Sequence, residues 1–297
     1  MNTPNFKGVG VALVTPFDEQ NRINLEEYAQ VIRYVIKGGV DFILALGSTG
    51  EYPTLTWEER QAIIHKAVET AQGQVPVLIG IGGNNTESVV HDLRTFDLTG
   101  VDAILSVAPS YNKPTQKGLY EHFKQIALNS PLPIILYNVP GRTGCNISAK
   151  TTLRLAADFK QIIGIKEAGS DWTQMIELAA NKPKDFFLLS GSDDIIVPQV
   201  SLGFDGVISV VANATPKHFT DMVHQALEGK FEIARQGVFE LNPFISMMFE
   251  QGNPCGVKSA LASLKVCSDR MRLPLVDIDE ELKDRIQTKL KSLDLIS

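Results

Sequence analysis

Eight short apolar runs recur between residues 10 and 210 of this 297-residue chain, and each is followed by a stretch with helical periodicity. The runs lie at 10–14, 42–46, 75–79, 103–107, 133–137, 162–166, 186–189 and 206–210. The helix-like stretches lie at 24–38, 56–72, 86–99, 115–128, 148–158, 171–181, 193–202 and 215–229. Continuous apolar runs joined by helices describe parallel strands covered on both faces. About eight such units in about 225 residues fit a closed (β/α)8 barrel better than an open doubly wound sheet. The open sheet would want a G-x-G-x-x-G turn after its first strand, where Thr15-Pro16-Phe17 stands instead. Past residue 230 the alternation gives way to helical patterns alone. The expected fold is α/β: a TIM barrel over 1–229 with a C-terminal helical extension over 230–297 packed on it.

Composition narrows the function classes. A net charge of −6 and a pI near 5.5 leave no broad surface for nucleic acid or an anionic membrane. No apolar run approaches the ~18 residues of a membrane span, and residues 1–7 carry no secretory pattern. The three cysteines (Cys145, Cys255, Cys267) and five histidines show no metal-ligand spacing. The expectation is a cytoplasmic protein with reduced thiols and no metal.

In such barrels chemistry gathers at the C-terminal ends of the strands. Lys166 closes the sixth run, where burial disfavours an ammonium and favours a nucleophilic amine. The bland alternative is a lysine that snorkels to solvent or pairs with Glu167. Gly47-Ser48-Thr49-Gly50-Glu51 follows the second run and offers a hydroxyl pair with free N–H groups for a small carboxylate, or merely a glycine-rich turn. Tyr111 follows the fourth run, as a rim phenol or a packed ring. Tyr137 ends the fifth run, with Arg142 five residues on: a proton carrier and a bidentate carboxylate clamp, or a turn with a solvated guanidinium. Ser190-Gly191-Ser192-Asp193-Asp194 follows the seventh run and reads as a Ser/Asp cap opening the next helix rather than a metal site. Taken together, these groups suit an enzyme that makes or breaks carbon–carbon bonds through an imine of a keto acid.

These motifs, in this order and spacing, resemble those of the pyruvate-dependent class I aldolase family that contains dihydrodipicolinate synthase and N-acetylneuraminate lyase. The resemblance runs from Gly10-Val11-Ala12-Leu13-Val14-Thr15-Pro16-Phe17 to Asn253-Pro254-Cys255-Gly256-Val257-Lys258. It implies that Lys166 condenses with pyruvate, that Tyr137 acts as general acid/base, and that Ser48 and Thr49 hold the pyruvate carboxylate and relay protons. Tyr111 would reach into a neighbouring subunit's site, the backbone at Gly191 and Ile208 would line the pocket, and the assembly would be a homotetramer built as a dimer of dimers. Arg142 matches the synthase pattern, in which it binds the carboxylate of L-aspartate-4-semialdehyde. The implied reaction is condensation of that aldehyde with pyruvate to 4-hydroxy-tetrahydrodipicolinate, on the route to diaminopimelate and lysine.

The rivals are a sister lyase acting on N-acetylneuraminate or another sugar acid, a phosphate-ester isomerase and a non-catalytic barrel. Two departures from the synthase pattern stand out: Ser48 where most synthases carry threonine, and Ser110-Tyr111 where many carry two tyrosines. The lysine-binding pattern of feedback-inhibited members departs too. Trp57, Arg60 and Ser88 occupy positions where histidines and a glutamate are usual, while Asn84 remains. With no carboxylate to pair an incoming ammonium, lysine is expected to inhibit weakly or not at all. Inhibition at micromolar lysine in an initial-rate assay would refute this.

Overall fold

The computed structural model describes residues 4–297. Its strands are β1 (Gly8–Ala12), β2 (Phe42–Ala45), β3 (Val77–Gly80), β4 (Ala103–Val107), β5 (Ile134–Asn138), β6 (Ile162–Glu167), β7 (Phe187–Ser190) and β8 (Gly206–Ser209). All pair in parallel and in sequence order, and β1 pairs with β8 to close the barrel. The helices outside them are α1 (Leu25–Lys37), α2 (Trp57–Ala71), α3 (Thr86–Thr95), α4 (Gln116–Asn129), α5 (Pro140–Thr143), α6 (Ala149–Asp158), α7 (Trp172–Asn181), α8 (Ile196–Ser201) and α9 (Pro216–Leu227). Three more follow: α10 (Phe231–Glu250), α11 (Cys255–Ser263) and α12 (Glu280–Ser292). No helix among the described residues is long and apolar enough to cross a membrane.

The expected elements are all present, with shifted ends that have local causes. The third strand starts at Val77, after Pro76, which has no N–H to give a ladder. The third helix stops at Thr95 because Phe96 turns extended and stacks on Trp57 with ring centroids 5.3 Å apart. The stretch 193–202 yields only the short α8, and its cap position, Ile195, makes no side-chain bond. The expected Ser/Asp cap is absent there because Asp193 turns inward. Elsewhere the helix starts follow ordinary capping chemistry, with Asn24, Asn85, Thr115, Ser148, Asp171 and Asp279 each accepting from a first-turn N–H. Thr56 and Glu59 form a reciprocal capping box.

Strand alternation divides the core into two shells. Val9, Val11, Ile43, Ile79, Ile104, Leu136, Ile165, Leu188 and Val207 face the helices. Phe42, Leu44, Leu78, Leu105, Ile135, Tyr137, Leu189 and Ile208 fill the barrel, and Phe6 packs edge-on against Phe42 with centroids 5.3 Å apart. Gly10 makes room for that floor: a Cβ on it would lie 2.0 Å from the Phe42 ring. Between β5 and β6 the register slips at Ile134/Ile135, so that Ile163 is an extra residue and Gly164 pairs with Ile135. From there the strands run in step, Tyr137 beside Lys166 and Asn138 beside Glu167.

Gly10→Ala is expected to destabilise by about 1–3 kcal/mol, because the methyl overpacks the barrel floor. Phe42→Leu in the same chain should recover part of that loss, and denaturant melts of the two single variants and the double variant measure the coupling.

Candidate active site

Register partners on neighbouring strands point to the same face. The pairing of Tyr137 with Lys166 therefore sends both side chains into the barrel, and the pairing of Asn138 with Glu167 sends both outward. Lys166 Nζ lies over the Tyr137 ring, 4.5 Å from its centroid, and both residues are buried. On the other face, Glu167 accepts from Asn138 Nδ2 at 3.0 and 2.9 Å, from Gly169 N at 2.6 Å and from Gln174 Nε2 at 2.9 Å. Its oxygens are occupied, so Glu167 is not the counter-ion of Lys166. The lysine neither snorkels outward nor pairs with its chain neighbour.

Burial lowers the Lys166 pKa to about 8; the Asp193 carboxylate opposes the fall and the Arg142 guanidinium adds to it. An amine so placed has a far larger neutral fraction near physiological pH than an ordinary lysine, and the neutral form is the one that attacks carbonyls. Burial raises the Tyr137 phenol, against the opposing pulls of Arg142 and the Ser48 hydroxyl. Asp193 is itself buried, and burial pushes its carboxyl up while the Ser209 hydroxyl and the N–H groups of Val211 and Val210 pull it back. It accepts from Val210 N at 3.0 Å and Val211 N at 3.1 Å. The residue expected to cap a helix is instead the carboxylate facing the amine.

A cavity of about 660 Å³ opens above Lys166 at the C-terminal ends of the strands. Ser48, Thr49, Tyr137, Arg142, Lys166 and Gly191 all line it. Gly191 is required by closeness: a Cβ there would sit 2.4 Å from Ala168 Cβ and 3.0 Å from Lys166 Cε. The hydroxyl pair lies on a single 3-10 turn, Ser48–Gly50, bracketed by Leu46 and Glu51, both in the left-handed region at φ +56° and +54°. Non-glycine residues held there store strain of about 1–3 kcal/mol each and cluster at functional sites. Arg142 sits on α5 and has no carboxylate partner among the described residues.

Two expected residues stand elsewhere. Ile208 is packed in the barrel interior with Tyr137 and Leu189, and the β8 end contributes Val210 to the cavity wall instead. Tyr111 is 88% exposed and outside the cavity wall, with its backbone turned to φ +69° and its N–H donating to the Thr143 carbonyl at 3.2 Å. Within one chain its phenol does not join Tyr137.

The strand-end rule also missed residues that arrive from the C-terminal region: Phe249 on α10, Asn253 in the link to α11, and Pro274 and Leu275 in the link to α12 line the same cavity. Asn253 Nδ2 donates to Thr49 Oγ1 at 3.0 Å. The only hint in the chain was the Asn253-Pro254-Cys255-Gly256-Val257-Lys258 motif. The described residues contain no group of three or more His, Cys, Asp or Glu arranged to hold a metal ion.

Comparison with known proteins finds relatives that match along nearly the whole chain. A sequence profile of the Dihydrodipicolinate synthetase family matches residues 5–293. The chain is 46% identical to the 4-hydroxy-tetrahydrodipicolinate synthase of Flavobacterium psychrophilum over 288 residues, 97% of this chain and 98% of that one. Its fold superposes on the dihydrodipicolinate synthase of Thermotoga maritima with a TM-score of 0.95 at 38% identity, covering 98% of this chain and 99% of the other. The dihydrodipicolinate synthase of Acinetobacter baumannii, solved complexed with pyruvate, gives a TM-score of 0.94 at 34% identity over 98% of this chain and 100% of that one. With a barrel, a buried strand-end amine and an end-to-end match, this chain belongs to the Dihydrodipicolinate synthetase family.

Proposed function

We propose that this enzyme is a 4-hydroxy-tetrahydrodipicolinate synthase, condensing pyruvate with L-aspartate-4-semialdehyde through an imine on Lys166. The observation that carries this reading is the buried Lys166 amine beside Tyr137, under a cavity that carries an unpaired guanidinium. The neutral Nζ attacks the ketone carbon of pyruvate, and loss of the carbonyl oxygen as water leaves an imine. The cationic imine acidifies the adjacent methyl group, which gives up a proton to form an enamine. The enamine carbon bonds to the aldehyde carbon, whose oxygen takes a proton. The amine of the second substrate then attacks the imine carbon, closes the ring and expels Lys166.

In this scheme Tyr137, assisted by Ser48 and by Tyr111 of a neighbouring subunit, moves the protons. Ser48 and Thr49 hold the pyruvate carboxylate, Arg142 clamps the aldehyde's carboxylate, and Gly191 and Val210 border the site. Asp193 supplies negative charge against the cationic imine. The 88% exposure of Tyr111 suits a residue that completes a partner's site in a homotetramer. The barrel of 1–229 carries the chemistry, the region 230–297 supports it, and the enzyme works in the cytoplasm without a metal or organic cofactor.

Pyruvate plus borohydride should reduce the imine onto Lys166, located by mapping the modified peptide by mass spectrometry; modification of another lysine, or of none, refutes the scheme. Lys166→Met should abolish that label while leaving the thermal midpoint at pH 7 equal to or above that of the parent, since a buried amine is a cost rather than a brace. With an amine pKa of about 8, the rate of imine formation should fall about tenfold per pH unit below that value and level off above it. A profile flat from pH 6 to 8 would contradict this.

Arg142→Ala should raise KM for the aldehyde by about 10–100-fold while imine formation with pyruvate persists. Unchanged aldehyde kinetics, or cleavage of N-acetylneuraminate by the parent enzyme, would point to the sister lyase.

A further inference from the structure

Asn253 reaches the cavity from residues 251–254, the link between α10 and α11. Its Nδ2 donates to Thr49 Oγ1 at 3.0 Å, and its Oδ1 is buried without a partner among the described residues. An amide nitrogen donates only, so the Thr49 oxygen must accept this bond. The proton of the Thr49 hydroxyl is then left to donate elsewhere. A substrate carboxylate has only acceptor oxygens and needs such donors.

We propose that Asn253 is a positioning residue that fixes the polarity of Thr49, keeping its hydroxyl proton directed at the pyruvate carboxylate. This rests on the reading of the cavity as a pyruvate site. The helix that follows Asn253 is tied to the hydroxyl turn. Lys258, on α11, donates from Nζ to Glu51 Oε1 at 2.5 Å and to the Arg270 carbonyl at 2.6 Å, with both side chains of the Lys258–Glu51 pair fully buried. Arg272 N donates to Glu51 Oε2 at 3.0 Å, and its guanidinium grips Glu59, at the start of α2. Lys258 Nζ and Arg272 Cζ both lie over the Phe17 ring, 4.4 and 4.5 Å from its centroid. Glu51 closes the turn that carries Ser48 and Thr49, and Lys258 N donates to the Pro254 carbonyl at 2.9 Å, so the Lys258–Glu51 pair links the hydroxyl turn to the helix that begins just after Asn253.

The test is a double-variant cycle in the full-length enzyme, with Asn253→Ala and Thr49→Val made singly and together and pyruvate KM as the readout. Because Asn253 acts through Thr49, each single change should raise pyruvate KM by about tenfold, and the pair should be no worse than Thr49→Val alone. KM for the aldehyde should move by less than about twofold. Asn253→Asp serves as the second variant. At neutral pH its carboxylate accepts the Thr49 proton, so pyruvate KM should rise more than for Asn253→Ala. Lowering the pH toward the carboxyl's own pKa should shrink the variant-to-parent ratio, because the protonated acid regains a donor. Additive effects in the cycle, or an Asn253→Asp ratio that is near one or constant with pH, overturn the proposal. Borohydride trapping on the parent separates the two readings: a label on Lys166 keeps the pyruvate site whatever Asn253 does, and no label removes both.

Discussion

The lateral register between β5 and β6 governs this molecule. In a strand a slip of one residue exchanges the two faces. Here that exchange would expel the Lys166 amine into the helical layer and bring the Glu167 carboxylate into the barrel. The extra residue at Ile163 sets the phase, so that Tyr137 and Lys166 share the interior. Outside, Asn138 and Gln174 satisfy Glu167, which locks the same register from the other face. A buried carboxylate stripped of those donors would cost several kcal/mol, so the outer network guards the inner geometry.

The amine is then poised by competition. Desolvation pushes protons off Lys166, the Arg142 charge helps, and the Asp193 charge resists. The balance falls near pH 8, where a useful fraction of the amine is neutral. Asp193 remains placed because two successive backbone N–H groups, of Val210 and Val211, hold it from the end of β8.

Helices α10 to α12 belong to the architecture of the site. The hydroxyl turn passes through two left-handed non-glycine residues, Leu46 and Glu51, and such a backbone persists only when its surroundings over-determine it. The surroundings are the Lys258–Glu51 pair, the Arg272 N–H and the Asn253 bond to Thr49. Removing one partner of a fully buried ion pair costs about 3–5 kcal/mol, of the same order as the strain in the two left-handed residues. The barrel supplies the amine, and the C-terminal helices hold the turn opposite it.

The sequence by itself determined the eight β/α units, the closed barrel, the helical end, and the presence of Ser48, Thr49, Tyr137, Arg142 and Lys166 at strand ends. Those features are written in windows of five to fifteen residues, where apolar runs and helical periods are local and the strand-end rule converts them into a rim. Only the tertiary structure decided which carboxylate faces the amine, because Glu167 is its chain neighbour but lies across the sheet, whereas Asp193 arrives from the next strand's loop. It also placed Val210 rather than Ile208 on the cavity wall, turned Tyr111 outward, and joined Asn253 to Thr49 across 204 residues of chain. Those choices follow from register, barrel closure and long-range packing, which bring together side chains that no local pattern relates.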